Sequence, residues 1–150
     1  MDKIKWCCKQ KNGIELIEPR ENLNKSYLKE SEDDLKEIQK VGNKWKTIIA
    51  YYSCYESLYS LLMKVGIKSE IHDCTIELMN LFGFDKEDKY LLKNLKSIRQ
   101  GNQYYLKKNP LEQEKQVKDF IMKCKEKSLE LNTEKIEKIR QQIQEMIKDE

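Results

Sequence analysis

The sequence predicts an all-α fold, an up-and-down bundle of about five to six helices with a small β-hairpin at its N-terminus. Three observations predict it. Apolar residues recur at three- and four-residue spacing from Leu23 to Ile147, and glycines and capping residues interrupt that pattern at Gly42, Gly66, Gly83 and Asp85. The opening stretch instead sets an Asn12-Gly13 pair between two β-prone runs. At 150 residues the chain suits one domain over 1–150, divided into a hairpin at 1–20, a helical core at 21–131 and a C-terminal helix at 132–150.

The hairpin is expected over residues 3–18, because Asn-Gly supplies the two positive-φ positions of a type I′ turn, and Pro19 ends it. A lone hairpin is marginal, so Trp6, Ile4, Ile14 or Leu16 must rest on the helical body or on a second subunit. Leu23, Leu28, Leu35 and Ile38 then mark an amphipathic helix from Glu21 to about Val41. The next helix, 44–65, is apolar around most of its circumference, which requires burial on several sides and makes it the central element. Gly66 is its natural cap.

Ser69 precedes an expected third helix, with Ile71, Cys74, Leu78 and Met79 on one face, that ends near Gly83. Asp85 offers the N-cap of a fourth helix over 86–107, weakened near its end by Gly101. A fifth spans 111–131, and a last one opens at Asn132 or Thr133. Its stripe of Ile136, Ile139, Ile143, Met146 and Ile147 can pack back on the body or meet a partner.

Charged residues make up 37% of the chain and hydrophobic ones 39%, with the hydrophobic ones clustered at helical spacing, so a folded protein is expected over a disordered one. Lys and Arg number 29 against 26 Asp and Glu, so the total field is too weak to hold nucleic acid by itself and any RNA site must be local. No apolar run approaches the roughly 18 residues that span a bilayer, and the N-terminus has no signal-peptide core, so a cytoplasmic protein with no membrane association is expected. Five cysteines, Cys7, Cys8, Cys54, Cys74 and Cys124, lack paired CxxC spacing and read as free buried thiols. No P-loop, serine triad or metal-ligand cluster is present, and neither a metal nor another cofactor is expected. A DNA-reading helix-turn-helix is disfavoured too, because no helix concentrates basic and base-reading residues on one face.

Three stretches carry a likeness to a known family: Trp6 to Lys11 with Glu18 to Leu23; Trp45-Lys46 with Ala50-Tyr51-Tyr52 and Leu61 to Thr75; and Ile98 to Tyr105. In these the chain resembles HEPN proteins, in the archaeal type often encoded beside a minimal nucleotidyltransferase. The resemblance implies a helical bundle that dimerises, with a polar site at the dimer cleft. In active members that site holds an arginine and, after a short spacer, a histidine, and it cleaves RNA without metal. Arg99 takes the arginine position here, while the histidine position falls on Tyr104 or Tyr105 and no histidine follows.

Proton transfer at neutral pH suits imidazole, with its pKa near 6.5, far better than a phenol near 10. Arg99 alone can hold a phosphate bidentately, helped by Lys93, Lys96 and Lys107, but is a poor base. The chain's single histidine, His72, stands three residues after Ser69, where it reads as structural near a helix start. It could hold an anion there, and could replace the missing base only if the fold carries it to Arg99. Tyr104 and Tyr105 read as core or interface aromatics. In related toxins a tyrosine accepts nucleotides two residues beyond the histidine position, which here is Leu106, so Tyr104 and Tyr105 match that role only loosely. Tyr51, Tyr52, Tyr55 and Tyr59 do not read as a base-stacking platform, because positions 51, 55, 58, 59 and 62 fall along one stripe next to Leu61 and Ile48 that reads as core or subunit seam.

Three functions compete on this sequence. The first is a regulatory RNA- or nucleotide-binding partner of a nucleotidyltransferase in a toxin–antitoxin-type pair, acting as a homodimer. The second is a metal-independent endoribonuclease toxin using Arg99 with Tyr104 or His72. The third is a non-catalytic helical adaptor that recruits a partner through residues 133–148.

Overall fold

A computed structural model describes residues 2–148. The chain opens on a helix, α1 (Asp2–Cys8), where the sequence predicts a strand. Ile4, Cys7 and Cys8 fit a helical stripe as well as they fit a β-prone run, and burial decides between the two: Ile4 and Cys7 are wholly buried. Asn12 does take a positive φ of 61°, but Gly13 does not, so no type I′ turn forms. Gly13 is required for another reason, since a Cβ there would run into the Cys7 carbonyl oxygen. The N-terminal hairpin is therefore absent. Of the four residues expected to anchor it, Ile4 and Ile14 are buried and Leu16 is partly so, while Trp6 remains 48% exposed.

Strand β1 (Ile14–Leu16) finds its partner across two intervening helices, in β2 (Ile67–Ser69), with Ile14 opposite Ser69 and Leu16 opposite Ile67 in antiparallel register. Between them lie α2 (Glu21–Glu37), a 3₁₀ turn at Ile38–Lys40 and α3 (Asn43–Val65). Gly66, at φ 88°, closes α3 in the left-handed conformation that its position predicts. Helix α3 is the central element, flanked by α2 and then by α5 (Lys86–Tyr104), α6 (Glu114–Glu130) and α7 (Thr133–Lys148). Its apolar circumference fits that place, with Tyr51, Cys54, Leu58, Leu61, Leu62 and Val65 completely buried.

The third predicted helix is shorter than expected. Ser69 lies in β2, and α4 spans only His72–Glu77 before a 3₁₀ turn at Leu78–Leu81. Asp85 caps α5 as predicted, in a reciprocal capping box with Asp88. Asn132 caps α7 by accepting from the Lys135 N–H at 2.9 Å. The described residues thus form seven helices in place of the five to six predicted, the additional one being α1.

Helix α7 folds back, burying Ile139, Ile143 and Met146 against α1, α3 and β1. Its Arg140 donates from Nη1 to the carbonyls of Ile17, Val65 and Gly66, at 2.8, 3.0 and 3.0 Å. A cation thus satisfies the open end of α3. The free-thiol reading is corrected for two of the five cysteines, because Cys7 and Cys74 form a disulfide that ties α1 to α4. Cys54 and Cys124 are buried thiols and Cys8 is half-buried. No helix among the described residues is long and apolar enough to cross a membrane.

Candidate functional site

Three helices converge where the central aromatic residues of α3 meet the start of α4 and the last turns of α5. Tyr51, Tyr52 and Tyr55 lie within little more than one turn of α3, on adjoining positions of its surface. β2 ends at Ser69, so the chain turns into α4 with His72 as its first residue, laid against those rings. From α5 come Arg99 and, one turn on, Gln103 and Tyr104.

Arg99 is only 5% exposed. Its Nη1 donates to the Tyr52 hydroxyl at 3.1 Å and to Gln103 Oε1 at 3.3 Å. The guanidinium carbon lies 4.9 Å from the Tyr51 ring centre, 5.4 Å from that of Tyr52 and 6.0 Å from that of Tyr104. Aromatic faces attract a cation but do not neutralise it. Among the described residues no carboxylate pairs with Arg99, and its buried Nε–H has no hydrogen-bond partner.

His72 shares this cluster. Its Nδ1 is 2.8 Å from the Tyr51 hydroxyl, and its ring stacks on Tyr55 at 4.2 Å. Tyr52 meets the imidazole edge-on at 6.3 Å. Burial lowers the His72 pKa, and the positive charges of Arg99 and Lys96 lower it further against an opposing pull from Asp73. The imidazole is therefore neutral at pH 7, with one nitrogen free of a proton. Burial and the neighbouring Tyr55 push the Tyr51 phenol upward, so it stays protonated. Burial likewise raises Tyr55, whose hydroxyl sits 3.0 Å from Thr75 Oγ1. The assembly combines a permanent cation, a neutral imidazole and hydroxyls, a set that can hold an anion and accept a proton beside it.

No family model, curated protein or solved structure matches this chain. Its chemistry is therefore argued from the geometry.

The fold brings His72 to the Arg99 cluster, the condition on which its role as a base depends. The imidazole is held by Tyr51 and Tyr55, and no side-chain cap from Ser69 is formed, since Ser69 Oγ accepts from Thr75 at 2.8 Å. Tyr104 covers the guanidinium with one face but is 63% exposed, and Tyr105 is still more exposed, so neither is a core residue of this chain. Lys96 is engaged by Asp73 at 2.5 Å. Lys93 is exposed on the same helix, and its charge also acts on Asp73. Lys107 lies beyond the end of α5, exposed, its N–H bonded to the Gly101 carbonyl at 3.1 Å.

Sequence reasoning misses the tyrosine shell. The stripe from Tyr51 to Tyr59 divides: Tyr51 and Tyr59 are core residues, while Tyr52 and Tyr55 are half-buried and line the cluster. Gln103 was readable as an i, i+4 partner of Arg99, but nothing in the spacing of His72 points to Tyr51. Asn102 was missed as well. Wholly buried, it donates to Thr47 Oγ1 and the Asn109 carbonyl, both at 2.9 Å, and accepts from the Asn109 N–H at 3.0 Å. This staples the segment 105–109, which passes through Leu106 at φ 55°, back onto the end of α5.

Proposed function

We propose that this chain is an HEPN-like protein that binds RNA or nucleotide phosphates through Arg99, working as a homodimer and as the partner of a nucleotidyltransferase in a toxin–antitoxin-type pair. The observation that supports this reading is the buried guanidinium without a carboxylate. A buried charge without its counter-ion is costly, and arginine's planar donors match a phosphate bidentately. A phosphate oxygen at the unpartnered Nε–H would satisfy a buried donor of this group that the protein leaves open.

His72 favours a second reading, a metal-independent endoribonuclease in which His72 takes the 2′-hydroxyl proton and the 2′-oxygen bonds to phosphorus as the bond to the 5′-oxygen breaks. In this reading Arg99 stabilises the charge on the phosphoryl oxygens, and the leaving 5′-oxygen takes its proton from the imidazolium or from water. A base must be neutral to act, and the depressed His72 pKa meets that requirement. Tyr104, the other candidate, is in this reading a cover for Arg99.

The chain has one histidine, which makes its imidazole a clean reporter. Isotope-labelled protein is titrated with a short single-stranded RNA in chelator while the His72 ring resonance and the RNA length are followed. The His72 resonance is expected to move toward its protonated position as phosphate offsets the Arg99 charge, and Arg99→Gln, with helical content unchanged, is expected to abolish the movement. A resonance indifferent to RNA in wild type overturns the binding reading. Cleavage lost in both Arg99→Gln and His72→Ala but kept in Tyr104→Phe would decide for the nuclease; intact RNA throughout would leave the binding partner.

A further inference from the structure

We propose that the cleft between α1, α4 and α5 is a second phosphate subsite, in which Lys3 and Lys93 grip a neighbouring phosphate of the strand that Arg99 holds. The inference rests on the phosphate reading of Arg99 and extends it to a residue, Lys3, and an element, α1, that the sequence assigns to no site.

The cleft has a volume of about 540 Å³ and opens beside the His72–Arg99 cluster: Asp73 follows His72 directly, and Gln100 follows Arg99. Ile76 forms part of its lining, with Lys3, Lys93 and Lys96 around it. Two carboxylates also line it, and each is already engaged. Asp73 accepts from Lys96 at 2.5 Å, which holds its carboxyl below the usual range, and Glu77 accepts from Lys89 at 2.7 Å. Lys3 and Lys93 form no ion pair among the described residues, and although both charges act on Asp73, that carboxylate is bonded to Lys96, so two cations line the cleft without a bonded partner.

Lys3 lies on α1, a helix of 7 residues that would be marginal by itself. Here it does not hang free, because α1 is fastened on two sides. Cys7 is bonded to Cys74 on α4, the helix that carries His72 and Asp73, and Ile4 is wholly buried. The Lys3 ammonium rests 4.4 Å above the Trp6 ring, a contact that orders its stem while leaving its N–H donors for an anion. The described cleft thus has a pinned cation on one wall and a helix-borne cation on the other. Linked phosphates are the chemistry that this pair recognises, and a single strand running past Arg99 would present one at the cleft.

The test is the salt dependence of binding for a fluorescent single-stranded RNA, measured on Lys3→Gln, Lys93→Gln and their double variant. Each phosphate contact to a single strand contributes about 0.7 to the slope of log affinity against log salt. Each single variant is expected to lose about 0.7 of that slope and the double variant about 1.4, whatever the RNA sequence. Lys135→Gln with Lys138→Gln, the same charge change on α7, is the control and is expected to leave the slope unchanged. An equal loss in that control would mean that total charge and not the cleft is responsible, which overturns the proposal. Weakened binding in Arg99→Gln with an unchanged slope in the Lys3 and Lys93 variants overturns the cleft and leaves the Arg99 reading standing. Wild-type binding in Arg99→Gln overturns that reading, and the extension with it. Displacement of the RNA by tripolyphosphate at equal phosphate concentration would assign the cleft to free polyphosphate and overturn the strand assignment.

Discussion

Arg140 shows what one side chain contributes when its place in the fold is decided far from its neighbours in sequence. Its stem belongs to α7, yet its donors satisfy carbonyls at Ile17, Val65 and Gly66. Arg140→Met, which keeps an apolar stem, is expected to lower stability by about 2 to 3 kcal/mol, the scale of hydrogen bonds from a charged donor, as read by urea unfolding. Glu56 makes a second prediction at this scale. It stands within a trio of carboxylates with Glu30 and Asp34, and its pKa is pushed up to about 9, chiefly by burial and then by a hydrogen bond and repulsion from Asp34. A carboxyl raised in the folded state favours folding most fully below its unfolded value near 4.5. That contribution is lost as pH rises from there through about 9. Glu56→Gln is therefore expected to flatten the decline of stability across that window, measured as the urea midpoint at intervals of pH; an unchanged profile would mean that the trio does not share a proton. His72 has the opposite sign. Its depressed folded pKa makes the cluster lose stability as pH falls below about 6.5.

Elements were legible in the sequence where period and punctuation agree. Helix α3 was expected over 44–65 and runs Asn43–Val65, and α7 was expected from 133 and runs Thr133–Lys148. Both are long amphipathic or fully apolar stretches with a cap at one end, so local preference and burial point the same way. Residues 2–8 are too short for that. Their few apolar residues fit two periods, and the choice of helix follows from the fit of Ile4 and Cys7 into a core built by later segments. The disulfide belongs to this scale, since it joins α1 to α4 across 67 residues. Closing a loop of that length removes enough unfolded-state freedom to be worth about 4 kcal/mol. Cys7→Ser is expected to lose about that much, and reduction of the wild type by dithiothreitol to match it. Equal urea midpoints for the reduced and oxidised protein would show that the bond adds nothing to the fold.

At the scale of the whole molecule, α7 is part of the body. Ile139, Ile143 and Met146 lie in the common core, and the same helix carries Arg140 to the end of α3. Removing residues 133–150 is expected to abolish cooperative unfolding and to expose apolar surface to a dye such as ANS, whereas a detachable adaptor helix would leave a body with its midpoint intact. Large hydrophobic residues stay exposed both on α7, at Ile147, and away from it, at Trp45, Tyr90, Tyr104, Tyr105 and Leu106. The sequence by itself determined a helical protein, most helix boundaries and the central place of α3, because helical period and capping act over a few residues. Only the tertiary structure decided that β1 pairs with β2, that Cys7 meets Cys74, and that His72 comes to rest among Tyr51, Tyr55 and Arg99. Those contacts join segments tens of residues apart, and no local preference records them; they follow from which surfaces a single core can bury together.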